Sequence, residues 1–231
     1  MTPAHAPPVL TAPVEDYLKV IYDLERLGQA ATTNDIADRL DISPASVSGM
    51  MRRLAEQGLI LHEPYRGARL TGGGRRAALR TLRRHRILEC YLTEVLGYPW
   101  DRVHEEAERL EHSASEELIE RMAASLGNPR HDPHGAPIPT PDGRVEEGRL
   151  ALLGDMSEGT SVRVRRVQDE DSARLRYLAE LGILPGAKVR ILGKAPFDGP
   201  ITLWVDGPAG GTTRAIGVSL AKQVHVELDT E

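Results

Sequence analysis

The alternation of apolar and polar residues predicts a chain that begins with helices and ends with strands. Apolar residues recur at helical spacing over residues 14–27, and Gly28 ends that run. From Gly159 onward the period changes to two, as in Ser161–Val167, with Gly and Pro residues between the repeats. We therefore expect a mainly α protein with a small β-domain at its C-terminal end.

Two short amphipathic helices joined by a tight turn are predicted next. Thr32 with Asp35 three residues later fits the cap of the first helix. Ser43 followed by Pro44 fits the start of the second helix, which should run to about residue 57. Residues 59–71 are typical of a two-stranded hairpin. A helix-turn-helix followed by such a hairpin is a winged helix-turn-helix, a common DNA-binding module.

The second of these helices presents small residues where a recognition helix would meet the major groove. None of them can make a bidentate contact to a base edge, so phosphate contacts and DNA shape should carry much of the recognition. Arginines would supply positive charge. The alternative is that the small residues only begin a helix and the arginines are solvated surface. The candidate DNA-binding residues are Ser43, Pro44, Ala45, Ser46, Ser48, Gly49, Arg52, Arg53 and Arg66.

Charge is distributed unevenly along the 231 residues, although the formal net charge is only −5. Residues 44–90 hold ten arginines against three glutamates, whereas residues 91–126 hold three arginines against nine acidic residues. A basic block followed by an acidic block indicates two different functions, one of which is nucleic-acid binding. The single cysteine, Cys90, allows no intramolecular disulfide, and neither a membrane-spanning run nor a secretory signal is evident. We therefore expect a cytoplasmic protein.

The acidic block contains a helical stretch, residues 104–112, with several charged side chains on one face. These are His104, Glu108, Glu111 and His112. Carboxylates this close on a helix repel each other unless a cation lies between them. A solvated acidic helix is the alternative. On the preceding predicted helix, residues 75–96, His85 and Glu89 are four residues apart. Two antiparallel helices that each present His and Glu could share one ion.

Residues 128–143 are rich in Pro and Gly and predict a domain boundary. His131 and His134 in this segment are expected to be exposed, as lone loop histidines usually are, and we do not count them as ligands. The strands that follow, interrupted by one helix near residues 173–181, predict an SH3-like β-barrel. The predicted domains are a winged helix-turn-helix at 1–79, a helical metal-binding and dimerisation domain at 80–144, a linker at 145–158 and the SH3-like domain at 159–231.

Together these features resemble the diphtheria-toxin-repressor family of metal-dependent transcriptional regulators. The C-terminal domain is similar to the FeoA-type domain of its longer members. The most specific matching stretches are Asp16-Tyr17-Leu18, Tyr65-Arg66-Gly67, Arg84-His85-Arg86, 103–112 and 178–186. The resemblance implies a homodimer on palindromic operator DNA that controls metal-ion homeostasis, with no membrane partner and no small-molecule substrate.

The resemblance also implies two metal sites. It places the primary site on Asp16, Glu108, Glu111 and His112, and the ancillary site on His85, Glu89 and His104, with Asp171 as a loosely aligned fourth ligand. Iron-responsive members have Met and Cys where this chain has Asp16 and Glu108, and hard oxygen ligands suit Mn²⁺. We therefore expect Mn²⁺ as the signal, with Fe²⁺ or Zn²⁺ able to bind. Lys19 stands where short manganese regulators have a second acid, which puts their two-metal centre in doubt.

Three other functions fit part of the pattern. An iron- or zinc-responsive repressor of the same family would use the same scaffold. A metalloenzyme is disfavoured, because the zinc-protease pattern His-Glu-x-x-His would need a histidine at Glu108 and a di-iron bundle would need two Glu-x-x-His pairs. A constitutive DNA-binding protein would bind without metal. We expect a manganese-dependent repressor and not an enzyme.

Overall fold

The computed structural model describes residues 10–63, 67–146, 148–168, 171–207 and 210–229. The chain divides into two compact units. The first comprises residues 1–84, 111–114 and 139–145, and the second comprises residues 85–110, 115–138 and 146–231. No helix within the described ranges is both long and apolar enough to cross a membrane.

The first unit contains three helices and a hairpin, followed by the start of a long helix. In order these are α1 (Ala12–Arg26), α2 (Thr33–Leu40), α3 (Pro44–Glu56), β1 (Ile60–Glu63), β2 (Gly67–Leu70) and the first part of α4 (Gly72–Glu94). The strands β1 and β2 pair antiparallel. The predicted winged helix-turn-helix is therefore confirmed. Residues 64–66, between the two strands in sequence, lie outside the described residues, and with them the predicted DNA contact Arg66.

Local sequence chemistry explains where these helices begin and turn. The side chain of Thr32 accepts a hydrogen bond from the backbone N–H of Asp35, and that of Ser43 accepts one from Ser46. Both predicted caps are thus confirmed. Asp41 ends α2 with a φ of 52°, a left-handed conformation that turns the chain sharply into α3.

The apolar stripes that predicted these helices form one buried core. The described core residues of this module include Leu18, Ile21, Tyr22, Ile36, Val47, Met51 and Leu54. Helix α1 packs against α2 and β2, and α2 packs against α3. The polar positions of α1 include Glu15, Asp16 and Lys19, which are partly buried.

The helical part of the second unit consists of the second half of α4, most of α5 (Val103–Glu111) and α6 (Glu116–Ser125). Residues 128–138 follow as an ordered, packed loop. Within it Asp132, His134, Ala136 and Ile138 are buried, while His131 is exposed. The expectation that His134 is an exposed loop residue is wrong.

The C-terminal part of the second unit is a six-stranded antiparallel sheet with two short helices, which confirms the SH3-like prediction. Its elements are β3 (Ala151–Leu152), a 3₁₀ turn (Leu153–Asp155), β4 (Ser161–Val167), α7 (Ser172–Glu180), β5 (Lys188–Lys194), β6 (Ile201–Val205), β7 (Thr212–Ile216), α8 (Val218–Ala221) and β8 (Val224–Leu228). The strand order is β3-β8-β4-β5-β6-β7. The short strand β3 and the largely exposed strand β7 gave no clear sequence signal.

The loop at 132–136 lies directly on β4. The backbone N–H of Val167 donates to the carbonyl of His134 at 3.0 Å. Gly135 has a φ of +87°, and a Cβ at this position would lie 1.9 Å from the carbonyl oxygen of Arg165. Only glycine fits such a close approach of two backbones. Backbone contacts thus position this part of the loop against the sheet.

Candidate metal centres

The first candidate centre joins α1 to the end of α5. His112 Nε2 lies 2.8 Å from Asp16 Oδ1 and 3.5 Å from Glu111 Oε1. Glu111 is fully buried, and the ligand atoms of all three residues lie within 4.8 Å of one another. Two carboxylates and an imidazole at this separation can ligate one divalent ion.

Glu15 and Arg84 hold the imidazole of His112 in place. The Nδ1 of His112 lies 2.7 Å from Glu15 Oε2, and the other oxygen of Glu15 pairs with Arg84 Nη2 at 2.5 Å. When Nδ1 donates to Glu15, the Nε2 of a neutral imidazole offers its lone pair toward Asp16 and Glu111. A carboxylate behind a histidine is the usual support of a metal-binding imidazole.

Lys19 also reaches this cluster. Its Nζ lies 2.8 Å from Glu111 Oε1, and its side chain is only 13% exposed. The ammonium group therefore neutralises a fully buried carboxylate, which would otherwise be costly to bury.

The second candidate centre lies between α4 and α5. It contains His85, His104 and Glu108, whose ligand atoms lie within 4.8 Å of one another. Glu108 Oε1 is 3.9 Å from His85 Nδ1 and also 3.9 Å from His104 Nε2. The ring nitrogens His85 Nε2 and His104 Nδ1 are 3.0 Å apart. The predicted pairing of His85 and Glu89 on one helix with His104 and Glu108 on the next is thus present in the structure.

Glu89 sits at the inner side of this centre and is fully buried. Its Oε1 lies 3.0 Å from His85 Nε2 and 3.3 Å from His104 Nδ1, and its Oε2 is a buried oxygen with no hydrogen-bond partner. Burial by itself raises the pKa of Glu89, but the neighbouring imidazoles of His85, His104 and His134 outweigh burial and hold it well below its ordinary value. A buried, ionised carboxylate with an open oxygen is suited to bind a cation.

A third cluster adjoins Glu89 on the other side and brings in the loop at 132–136. It consists of Glu89, Asp132 and His134, all of which are buried. His134 Nε2 lies 2.7 Å from the carbonyl of Trp100, so this nitrogen carries the proton. His134 Nδ1 lies 3.7 Å from Glu89 Oε1. In the neutral form of the ring, this nitrogen and the carboxylate could both ligate a cation.

Asp132 has a structural function in this loop as well. Its Oδ1 accepts hydrogen bonds from the backbone N–H groups of His134 and Ala136, each at 2.9 Å. Its Oδ2 lies 3.4 Å from Arg86 Nε. One oxygen therefore shapes the loop, and the other faces a positive charge.

The donor atoms of the described clusters are carboxylate oxygens and imidazole nitrogens. Sulfur is not among them, because Cys90 lies outside these clusters. Its Sγ is 3.6 Å from the carbonyl of His131, and burial raises the pKa of its thiol. Oxygen and nitrogen donors fit Mn²⁺, Fe²⁺ and Zn²⁺, and they fit the softer thiolate-seeking ions less well. The residues present therefore fit a divalent first-row metal.

The structure groups the predicted ligands somewhat differently from the sequence. Asp16, Glu111 and His112 come together as predicted, and so do His85, Glu89 and His104. Glu108, predicted for the first site, contacts the histidines of the second. Asp171 instead caps α7, where its Oδ1 accepts hydrogen bonds from the backbone N–H groups of Ala173 and Arg174. It belongs to none of the clusters found in the described chain.

Sequence reasoning missed several residues around these centres. They are Glu15 and Arg84, each beside a predicted ligand in the chain, and Asp132 and His134, which are two residues apart. Their partners are distant in sequence: Glu15 and His112 are 97 residues apart, Arg84 and Glu15 are 69 apart, and His134 contacts Trp100 across 34 residues. Only the adjacency of Glu15 to Asp16, and the Asp-x-His spacing, could have pointed to them.

The predicted DNA-binding face of α3 is exposed. Ser43, Pro44, Ala45, Ser46, Ser48, Gly49, Arg52 and Arg53 are all on the surface. Two of the hydroxyls also serve the helix itself: Ser43 caps it, and Ser48 Oγ donates to the carbonyl of Pro44 at 3.0 Å. Gly49 has open space around it. The face thus allows close approach of a DNA backbone, with Arg52 and Arg53 as the charged residues.

Three family models match the chain in series. They describe the N-terminal DNA-binding domain of iron-dependent repressors at residues 9–68, the metal-binding and dimerisation domain of the same repressors at 71–140, and the FeoA domain at 151–228. These matches confirm the predicted resemblance and the order of the three folded parts.

Curated relatives and solved structures give the same picture. The iron-dependent repressor IdeR of Mycobacterium leprae is 36% identical over 190 residues, which covers 77% of this chain and 82% of that protein. The diphtheria toxin repressor of Corynebacterium diphtheriae is 32% identical over 203 residues, covering 84% and 88%.

Among solved structures, a manganese-dependent transcriptional repressor in complex with manganese is 41% identical, with a TM-score of 0.87 and coverage of 93% of this chain and 99% of that one. The manganese regulator SloR is 32% identical, with a TM-score of 0.76 and coverage of 94% and 98%.

Proposed function

We propose, from the premise that this chain belongs to the diphtheria-toxin-repressor family of metal-dependent transcriptional repressors, that its activating ion is Mn²⁺. The family consists of DNA-binding repressors rather than enzymes, in agreement with the sequence. The observation that carries the proposal is the cluster of Asp16, Glu111 and His112, in which every donor atom is oxygen or nitrogen. The protein would act as a homodimer on palindromic operator DNA in the cytoplasm.

The proposed ligands form two centres. Asp16, Glu111 and His112 would hold the activating ion. His85, Glu89, His104 and Glu108 would hold a second ion, with Asp132 and His134 extending this centre through the shared carboxylate of Glu89. The ion supplies positive charge that lets these carboxylates remain close together.

The first centre connects metal binding to DNA binding through α1. Asp16 lies on this helix, which packs against α2 of the helix-turn-helix, whereas Glu111 and His112 lie at the end of α5. An ion shared by these residues would tie α1 to the end of α5. The free energy of metal binding would then stabilise one arrangement of the DNA-binding module and so increase operator affinity.

Operator binding with and without metal tests this function. The full-length protein should bind its operator tightly with Mn²⁺ and at least tenfold more weakly after chelation. His112→Gln should lose most of this difference, and His131→Gln, which changes an exposed imidazole, should retain it. Equal affinity of the wild type in both conditions would exclude a metal switch.

An iron-responsive repressor is the second candidate. It is favoured by the name of the curated relative IdeR, an iron-dependent repressor that is 36% identical to this chain. Fe²⁺ also accepts oxygen and nitrogen ligands. Competitive titration of Mn²⁺ against Fe²⁺ and Zn²⁺, with operator binding as the readout, separates the two. Metal affinity alone does not, because Zn²⁺ binds such sites tightly whatever the biological signal is.

Glu108→Cys tests whether the second centre, whose histidines Glu108 contacts, also sets the choice of ion. A thiolate at this position should lower activation by Mn²⁺ and raise activation by Fe²⁺ and Zn²⁺, since softer ligands favour later first-row metals. The ratio of the half-activating Mn²⁺ and Fe²⁺ concentrations in the operator assay measures this change. An unchanged ratio would show that Glu108 does not determine the metal response.

A further inference from the structure

Lys19 contacts a carboxylate oxygen of the first candidate metal centre. Its Nζ lies 2.8 Å from Glu111 Oε1, the same oxygen that lies 3.5 Å from His112 Nε2. An ion bound between His112 Nε2 and this oxygen would share the oxygen with the ammonium group. The lysine ammonium and the divalent ion therefore compete for one ligand atom.

The burial of Glu111 makes the competition between the ammonium group and the ion energetically important. The side chain of Glu111 is fully buried, and that of Lys19 is 13% exposed. A buried carboxylate without a nearby cation is strongly disfavoured, so one positive charge is already supplied by the protein. Lys19 lies three residues after Asp16 on α1, so the same helix face carries a metal ligand and a competing cation.

We propose that Lys19 is an internal counter-ion that limits this centre to a single divalent ion and sets the free Mn²⁺ concentration at which it fills. The ammonium group lies against Glu111 Oε1, so a second ion at this carboxylate would have to displace it. It must also give up Glu111 Oε1, or share it, when the first ion arrives. This inference rests on the proposed function, because it concerns the same metal centre.

Two substitutions of Lys19 test the inference in the full-length protein. Lys19→Met removes the charge and keeps most of the side-chain length. Lys19→Glu replaces the cation with a possible ligand. Lys222→Met is the matched control, since it removes one positive charge from an exposed turn next to α8. Mn²⁺ affinity and stoichiometry are measured by equilibrium dialysis, and melting temperature is measured with chelator present.

We expect Lys19→Met to bind Mn²⁺ about tenfold more tightly, because one neighbouring charge typically changes such an equilibrium by one or more powers of ten. Its melting temperature in chelator should fall, since Glu111 loses its cation. Lys19→Glu should bind one additional Mn²⁺ per chain. Lys222→Met should match the wild type in all three measurements.

The inference is overturned by either of two results. One is a Mn²⁺ affinity of Lys19→Met within twofold of the wild type, together with an unchanged ion count in Lys19→Glu. The other is a loss of affinity in Lys19→Met, which would mean that the lysine builds the site rather than competes for it. Repeating both variants with His112→Gln assigns the effect, because any change that persists there arises outside this centre and also overturns the inference.

These readouts are independent of the operator assay. If the wild type fails to bind DNA in response to Mn²⁺, the proposed function is wrong, whereas the changes in ion affinity and count can still be measured. If operator binding responds to Mn²⁺ but the Lys19 variants bind Mn²⁺ with the affinity and ion count of the wild type, only this inference fails.

Discussion

Individual side chains determine what the two centres can bind, and the supporting residues matter as much as the ligands. The imidazole of His112 is held on one nitrogen by Glu15 and faces Asp16 and Glu111 with the other. Glu111 and His112 were predicted from their spacing on one helix face, and Asp16 from the resemblance to the family. The sequence could not predict Glu15, since that contact depends on how residues 97 positions apart meet.

Glu15→Gln should weaken metal binding at the first centre by about 10- to 100-fold, the usual effect of removing a carboxylate behind a metal-binding histidine. The amide is a weaker acceptor for His112 Nδ1–H, and Arg84 loses its charged partner. Mn²⁺ affinity measured by titration calorimetry checks this outcome. Glu117→Gln is the control, because it also removes a carboxylate paired with an arginine, Arg121, at an exposed position. Equal affinities of the two variants would contradict a supporting function for Glu15.

The helices and strands follow the sequence closely where a local signal exists. Caps at Thr32 and Ser43, the apolar stripe of α1 and the alternation of β4 all predicted their elements. The boundaries moved by only a few residues, as for α4, which begins at Gly72 rather than residue 75. The loop at 132–136 was misjudged because its Pro and Gly content resembles that of a flexible linker. Its burial comes from contacts with Trp100 and β4, which no local pattern encodes.

The start of α4 offers a matched pair of glycine substitutions. A Cβ at Gly74 would lie 2.0 Å from the carbonyl oxygen of Leu59, whereas a Cβ at Gly73 would meet Thr71 Oγ1 at an ordinary 3.6 Å. Gly74→Ala should therefore destabilise the protein by about 1–3 kcal/mol through overpacking. Gly73→Ala should stabilise it by about 0.5–1 kcal/mol, because alanine favours the helix.

Urea denaturation of both glycine variants measures these effects. If Gly74→Ala is as stable as Gly73→Ala, then α4 does not pack against the residue before β1 in solution as closely as the structure has it.

The end of β8 carries a pH-dependent contact. Asp229 lies 2.9 Å from Lys188 Nζ on β5 and 2.9 Å from Arg163 Nη2 on β4. These contacts, with Lys188 contributing most, hold the pKa of Asp229 below its ordinary value. A carboxyl with a lowered folded-state pKa stabilises the fold above its unfolded pKa of about 4, and that contribution is lost as pH falls through the folded value.

Asp229→Asn should therefore be less stable than the wild type at pH 7, and the difference should shrink as the pH is lowered below about 4. Chemical denaturation at pH 7 and at pH 3 measures both differences. Glu180→Gln, a neutralised exposed carboxyl on α7, should give a small difference at pH 7. A constant gap between Asp229→Asn and the wild type at all pH values would argue against this contact.

The chain combines a DNA-binding module, candidate metal centres and an SH3-like domain, and its stability should depend on the proposed ion. A ligand that binds only the folded state stabilises it by about 2.7 kcal/mol at a concentration of 100 times its Kd. Mn²⁺ should therefore raise the melting temperature, and chelation should reverse the increase. The fold class and the family could be predicted from sequence, whereas the distribution of ligands between centres could not, because Glu108 lies on one helix face with candidates for both.

A double variant, His112→Gln with His85→Gln, should lose most of the increase in melting temperature, since it removes an imidazole from each centre. His62→Gln, on the exposed face of β1, serves as the control. Differential scanning calorimetry with Mn²⁺ and with chelator provides the comparison. An equal increase in the double variant and the wild type would place Mn²⁺ outside both centres.

The contact of Gly135 with Arg165 has a consequence for how this protein can be shortened. The loop that carries Asp132 and His134 contacts β4 through its backbone. Removing the sheet would leave the carbonyl of His134 without its hydrogen-bond donor and Gly135 without the backbone it packs against. A chain cut after residue 146 would retain every predicted ligand except Asp171, yet the orientation of His134 would no longer be fixed. The C-terminal domain therefore supports the loop that carries His134. Metal-response measurements on a truncated protein would not describe the 231-residue chain.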